Sequence, residues 1–231
     1  MRIAILNFSG NVGKSTIARH LIAPRLYNRR VFSVETINSG GDGEQIKGSD
    51  FGNLQEFLME ADNCVVDVGS SNVESFIMLM DQYRGSHEDI DYFVVPAVRE
   101  TKQQMDTIAT LETLAAMKIP AQKIRVVFNR LNADESVETV FAPIFQYANE
   151  RKTCVVNLDA IVVSNEIYDK LKEGGKSVPE IAIDQTDYVA MLKEATTSAD
   201  KAELREAITL KRLALSANEN LNASFTALFR A

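Results

Sequence analysis

The residues whose types and spacing most plainly suit chemistry are Ser9-Gly10-Asn11-Val12-Gly13-Lys14-Ser15-Thr16, which follow the apolar run Ile3-Ala4-Ile5-Leu6 and precede a helical stretch. A tight turn between strand and helix aims backbone N–H groups inward, and the helix N-terminus adds partial positive charge, so the arrangement suits a polyphosphate. Gly13 lets the backbone approach the phosphates closely. Lys14 is placed to bridge the β- and γ-phosphates, the Ser15 hydroxyl to ligate Mg²⁺, and Thr16 to lie near the α-phosphate. Gly10, Asn11 and Val12 complete the cradle. The strict P-loop pattern wants Gly five residues before the Gly-Lys pair, where Phe8 stands. A strand–helix turn without a ligand is the alternative.

A second set lies at Asn63-Cys64-Val65-Val66-Asp67-Val68-Gly69-Ser70-Ser71. An apolar run closing on an acid reads as a Walker B strand, with Asp67 holding Mg²⁺ through a water and Gly69 freeing the loop that follows. In an open parallel sheet, strand C-termini line the ligand crevice. The third set is the strand end Asn129-Arg130. A strand-end Asn can exchange hydrogen bonds with an adenine edge, so Asn129 and Arg130 are the candidates for the base. The guanine-reading Asn-Lys-x-Asp pattern is broken, because Asn132 stands in its fourth position, and Ser70 breaks the GTPase Asp-x-x-Gly. ATP is favoured over GTP. Asn129 as a plain turn residue is the alternative.

These groups need a scaffold that brings strand ends together. Apolar β-type runs fall at Arg2–Asn7, Val31–Thr36, Cys64–Val68, Tyr92–Pro96, Ile124–Asn129 and Cys154–Leu158. Most are continuous rather than alternating, as in parallel strands covered on both faces. Between them lie helical stretches; in Lys102–Met117 the residues Ile108, Leu111, Leu114 and Ala115 fall on one face. Strand–helix alternation predicts an α/β fold with a doubly wound, mostly parallel sheet. The Gly-rich segment 38–50 reads as a loop. From Thr186 onward the pattern is helical: Tyr188–Thr196, Ala199–Ser216 and a shorter helix through Leu221–Phe229. The 231 residues are read as one domain, with a nucleotide-binding core over 1–185 and a helical extension over 186–231.

Composition narrows the function classes. Net charge is −7, which argues against a dominant nucleic-acid surface. The two cysteines, Cys64 and Cys154, sit in apolar runs and read as buried thiols. Neither His20 nor His87 has partners at metal-ligand spacing. No apolar run nears the ~20 residues of a membrane span, and the N-terminal run is short for a signal-peptide core. A cytoplasmic location is expected.

The order of segments resembles the ParA/MinD family of P-loop ATPases, which position plasmids, chromosomes and other cargo. The resemblance rests on SGNVGKST at 9–16, CVVDVGSS at 64–71, YFVVPAVRETKQQ at 92–104, VVFNR at 126–130, and LDAIVVSNEIYDKL at 158–171 followed by Gly174-Gly175-Lys176-Ser177-Val178. It spans most of residues 1–185, and the opening NFSGNVGKSTIARHLIAPRL is most similar to the StbB plasmid-stability branch. The resemblance implies ATP and Mg²⁺ as cofactors, an ATP-dependent homodimer, a plasmid-partition or DNA-binding partner protein, and DNA contact without sequence preference.

Two departures stand out. Ser9 occupies the place of the family's signature lysine, which reaches the partner subunit's phosphates; a short neutral side chain cannot. The family's Asp-x-Asp-Pro-Gln after the second strand is Glu35-Thr36-Ile37-Asn38-Ser39 here. By resemblance Glu35 orients the attacking water or contacts Mg²⁺ through water; the alternative is a solvated strand-end acid. Together with Lys14 and Asp67, Glu35 completes the candidate catalytic set. Because phosphoryl transfer in such enzymes depends on positioning and electrostatics, both departures point to slow turnover.

In the tail, Lys201, Arg205, Lys211 and Arg212 interleave with Glu203 and Glu206, which reads as a solvated, salt-bridged helix. Leu221, Phe225, Leu228 and Phe229 share a face with only Arg230 beside them, which favours packing against the body or a subunit over a membrane surface. Three functions follow from this reading: an ATP-driven positioning or partition switch, an ATP-dependent adaptor that hardly hydrolyses, and a small-molecule kinase or ATP-dependent ligase of the same sheet. The last would need cationic groups closing over the phosphates, and Arg84 and Arg99 are isolated.

Overall fold

The computed structural model describes residues 1–34, 44–45, 51–171 and 175–230. Glu35, Gly174 and most of the 38–50 segment lie outside the described residues. Seven strands form one sheet: β1 (Arg2–Ile5), β2 (Arg30–Val34), β3 (Glu44–Gln45), β4 (Cys64–Val68), β5 (Tyr92–Ala97), β6 (Ile124–Leu131) and β7 (Ile161–Val163). Their order is β3-β2-β4-β1-β5-β6-β7, and every paired neighbour is parallel. The expected doubly wound sheet is present. Every residue of β4 is buried, as its unbroken apolar run requires. The two-residue β3 falls inside the segment read as loop.

The helices divide between the two faces. On one face α2 (Phe51–Glu60), α3 (Val73–Gln82), α4 (Thr101–Ala116), α5 (Val137–Val140) and α6 (Ala142–Arg151) border a core that includes Leu54, Phe76, Leu111, Phe128 and Ile144. On the other, the helix after the candidate phosphate loop packs with α7 (Ile167–Lys170), α8 (Val178–Ala182) and α10 (Ser198–Phe229) around Ile5, Leu21, Val127, Leu221 and Leu228. The short α9 (Tyr188–Glu194) contributes no buried residue. Cys64 and Cys154 are buried free thiols. Among the described residues, no helix is long and apolar enough to cross a membrane.

Three sequence expectations are corrected. The run Cys154–Leu158 is not a strand: Val155 makes one isolated bridge to Arg125, and the chain then turns at Asn157. There Asn157 accepts from Asp159 N–H at 3.0 Å and donates to Ala227 O at 3.0 Å. Pairing resumes in β7, three residues past the end of the run expected to be a strand. The tail is not two helices after α9 but one, the 32-residue α10. Within the stretch expected to separate the two helices, Asn220 accepts from Val163 N–H at 3.0 Å and donates to Ile161 O at 2.9 Å. The helix thereby satisfies the open edge of β7, where unpaired strand groups would otherwise face solvent.

The third correction concerns charge. Among the described residues α10 makes no ion pair, because no Glu lies three or four positions from an Arg or Lys along it. Its apolar C-terminal face behaves as expected. Leu221 and Leu228 are buried, and Phe225 and Phe229 pack against the same core. Truncating either leucine to Ala should cost about 2–5 kcal/mol.

Candidate phosphate-binding site

The strand order places β1 between β4 and β5, so the loop leaving β1 opens beside the C-terminal end of β4. Ile5 pairs with Asp67 on one side and with Val94 on the other. This is the crevice where open α/β sheets bind ligands. The loop begins at Asn7, which is fully buried and serves as its base. Asn7 Nδ2 donates to Pro96 O at 2.9 Å and to Thr107 Oγ1 at 2.8 Å, while its Oδ1 accepts from Ser9 N–H at 2.7 Å. Phe8 N–H donates to Thr110 Oγ1 at 3.1 Å. Helix α4 thus grips the start of the loop through two buried threonines. These groups were missed in the sequence, although Thr107 and Thr110 stand three apart on the side of α4 that also carries Leu111 and Leu114.

The loop then bends through Asn11, at φ 57, and Gly13, at φ 87 and ψ 30. The second value is left-handed backbone that favours glycine. Lys14 opens α1 (Lys14–Thr16), whose turn continues as a π-helical segment over Ile17–Ile22 and ends in a 3-10 turn over Ala23–Arg25. Ala23 N–H reaches back five residues to Ala18 O, and Pro24 prevents further helix.

Lys14 is only 8% exposed. Its Nζ curls back into the loop, donating to Ser9 O at 2.9 Å and to Asn7 O at 3.3 Å. Burial pushes its pKa below the usual lysine range, and the nearby Asp67 carboxylate partly opposes that shift. Asp67 is itself buried at the end of β4. Ser15 is exposed and Thr16 half-buried at the loop mouth. Among the described residues, Ser9 carries the one loop N–H from 9 to 16 that meets a protein acceptor. The arrangement therefore fits an anion: unmet backbone N–H groups, an ammonium already dehydrated, and a helix N-terminus. An acid one strand away and the Ser15 hydroxyl are oxygen donors of the kind Mg²⁺ takes.

Asn129 is 3% exposed and packs directly behind the loop. Its Nδ2 donates to Val12 O at 2.9 Å, and its Oδ1 accepts from Arg130 N–H at 3.0 Å. It thus anchors the loop, a role the sequence reading did not assign. Arg130, at φ 59, is the residue skipped where β6 and β7 slip register between Asn129 and Leu131. It stands exposed at the strand end.

The remaining candidate, Glu35, lies outside the described residues. Its neighbour Val34 ends β2, and Val34 O accepts both from Gly69 N–H at 3.0 Å and from Asn72 Nδ2 at 3.1 Å. The segment following Asp67 is therefore tied to the end of β2. Asn72 was not singled out in the sequence.

Neither a protein-family model nor a curated protein matches the chain. Solved structures do. A chain of the MinC:MinD cell division protein complex from Aquifex aeolicus superposes with a TM-score of 0.55 at 11% identity, covering 95% of each chain. The Aquifex aeolicus MinD cell division protein gives 0.54 at 12%, over 90% of this chain and 95% of that one. Apo McdA from Cyanothece gives 0.50 at 15%, over 90% and 98%. At such identities the likeness concerns architecture alone: the chain shares with these structures a doubly wound, parallel α/β fold of the P-loop NTPase type.

Proposed function

We propose that the chain is an ATP–Mg²⁺-binding switch of the ParA/MinD type, serving plasmid stability, segregation or intracellular positioning in the cytoplasm, of the StbB plasmid-stability kind. The observation that carries this reading is Lys14 Nζ held inside its own loop by Ser9 O and Asn7 O, one strand from buried Asp67. Incoming β- and γ-phosphates offer that dehydrated ammonium stronger acceptors than two neutral carbonyls. Gly10 to Gly13 supply backbone N–H groups, Thr16 lies at the α-phosphate end, and Ser15 and Asp67 hold the metal, Asp67 through water. Bound Mg²⁺ would supply charge neutralisation between the phosphates. Asn129 and Arg130 flank the adenine, and Glu35 is the remaining candidate for orienting the attacking water.

The tie of Val34 O to Gly69 and Asn72 supports a switch, because it links the end of β2 to the segment that follows Asp67. ATP would then favour a homodimer and a partition or DNA-binding partner protein. The test is mass in solution with ADP and with a non-hydrolysable ATP analogue. A dimer with the analogue that is lost in Lys14→Ala supports the switch; a monomer in every state rejects the dimeric form of it.

One observation favours a second reading, an adaptor that binds ATP and hardly hydrolyses it. Ser9 is 8% exposed, and its carbonyl is spent on Lys14, so this position offers no cation to a partner's phosphates. Tight ATP binding without turnover, even with partner and DNA present, selects this reading.

A further inference from the structure

Helices α3 and α4 leave a groove of about 450 Å³ between them. Its floor is apolar, from Phe8, Ile77, Met78 and Met117, and Glu74 and Asp81 stand at its rim. Both carboxylates are exposed, and Met78 is 62% exposed. No basic side chain lines the groove, and among the described residues neither acid makes an ion pair.

Along α3 the groove residues read Glu74, Ile77, Met78, Asp81, at i, i+3, i+4 and i+7. The first half of α10 carries the same spacing with opposite charge: Arg205, Ile208, Thr209, Arg212. Seven residues rise about 10 Å on either helix, so the two charged pairs are equally far apart. Arg205, Thr209 and Arg212 are exposed, neither arginine is ion-paired among the described residues, and Leu215 adds an exposed apolar side chain one turn on. This half of the helix has no fully buried residue before Ala214, with Leu210 and Leu213 packed partly against the core.

The helix cannot reach its own groove. Phe76 and Met80 of α3 belong to the core on one face of the sheet, and Ala214, Ala217 and Leu221 of α10 to the core on the other. We propose that a second copy of this chain docks the Arg205–Arg212 face of α10 in the α3–α4 groove. Groove and helix are different surfaces, so the contact is head-to-tail, and each added copy leaves one of each surface free. Apart from Phe8, at the start of the loop and in the groove floor, the contact uses no residue of the phosphate loop. It is therefore distinct from a nucleotide-dependent dimer and stands whether or not ATP is the ligand.

The test is sedimentation velocity of the full chain without nucleotide, over rising concentration, for wild type, Lys14→Ala, Glu74→Lys/Asp81→Lys and Arg205→Glu/Arg212→Glu. The expected result is self-association by wild type and Lys14→Ala alike, and at least tenfold weaker association by each charge-reversed variant alone. An equal mixture of the two reversed variants should associate again, because every contact between them pairs opposite charges. That recovery also shows that both variants fold. A wild type that stays monomeric, reversed variants that associate like wild type, a mixture that does not recover, or association lost in Lys14→Ala would each overturn the proposal.

Discussion

The side-chain amide of Asn129 lies so close to Gly13 that a Cβ on the glycine would fall 2.2 Å from Asn129 Nδ2. The same nitrogen donates to Val12 O. The end of β6 thus sets the height of the phosphate loop, and the two residues must be read as a pair.

Gly13→Ala should therefore damage both fold and site. Left-handed backbone and the clash with the amide together cost about 2–5 kcal/mol. Thermal unfolding should show the loss, and calorimetric titration should show ATP binding abolished. Asn129→Gly introduced into the Gly13→Ala background should recover part of the stability, since the clash goes while the φ strain remains.

Asn129→Ala leaves Val12 O and Arg130 N–H without their side-chain partner, at a cost of about 1–3 kcal/mol. Loosening the loop should weaken ATP binding by roughly tenfold. Asn129→Asp keeps the acceptor for Arg130 N–H but sets a carboxylate against Val12 O and near the phosphates. It should weaken ATP more than Ala does, with ATP affinity as the readout.

His20 gives a pH signature. It is 4% exposed, its Nδ1 accepts from Val178 N–H at 3.2 Å, and burial brings its pKa down to about 4. The unfolded chain binds this proton near pH 6.5, the folded chain only near 4, so unfolding is favoured as pH falls through that window. Stability should drop by up to about 3 kcal/mol between pH 7 and 4. Urea titrations at a series of pH values would show it, and His20→Gln, which keeps an acceptor, should flatten that part of the curve.

Asn220 closes the edge of β7 with two hydrogen bonds from one helix residue. Asn220→Ala leaves a strand donor and acceptor unmet, at about 1–3 kcal/mol, and Asn220→Leu should do the same despite its better helix propensity. Urea midpoints for the two variants, compared with Ala223→Leu on the exposed side of α10, separate loss of the edge pairing from helix propensity.

Much of this was legible in the chain. Cys64–Val68 is a strand to the residue, because a run buried on both faces suits five consecutive positions that are apolar but for the acid next to the last. Loop, Lys14 and Asp67 could be placed together because strand ends in such a sheet converge. What stayed hidden was long-range pairing by polar side chains. Val155 looks like any strand residue until Asn157 finds Ala227 O and turns the chain away. Nothing in the sequence marks Asn218 and Asn222 for a role, yet both accept from the Arg25 guanidinium, which also donates to His20 O and Leu21 O. The capacity of an amide to mimic backbone is visible in sequence, but its partner, nearly two hundred residues away, is not.

The most direct test of the account is calorimetric titration of ATP with Mg²⁺ into the wild-type chain and Lys14→Ala. Saturable one-to-one binding by wild type, weakened by about a hundredfold in Lys14→Ala, is the predicted result. No binding by a folded wild type, or equal binding by both proteins, would contradict the claim that residues 9–16 form an ATP site.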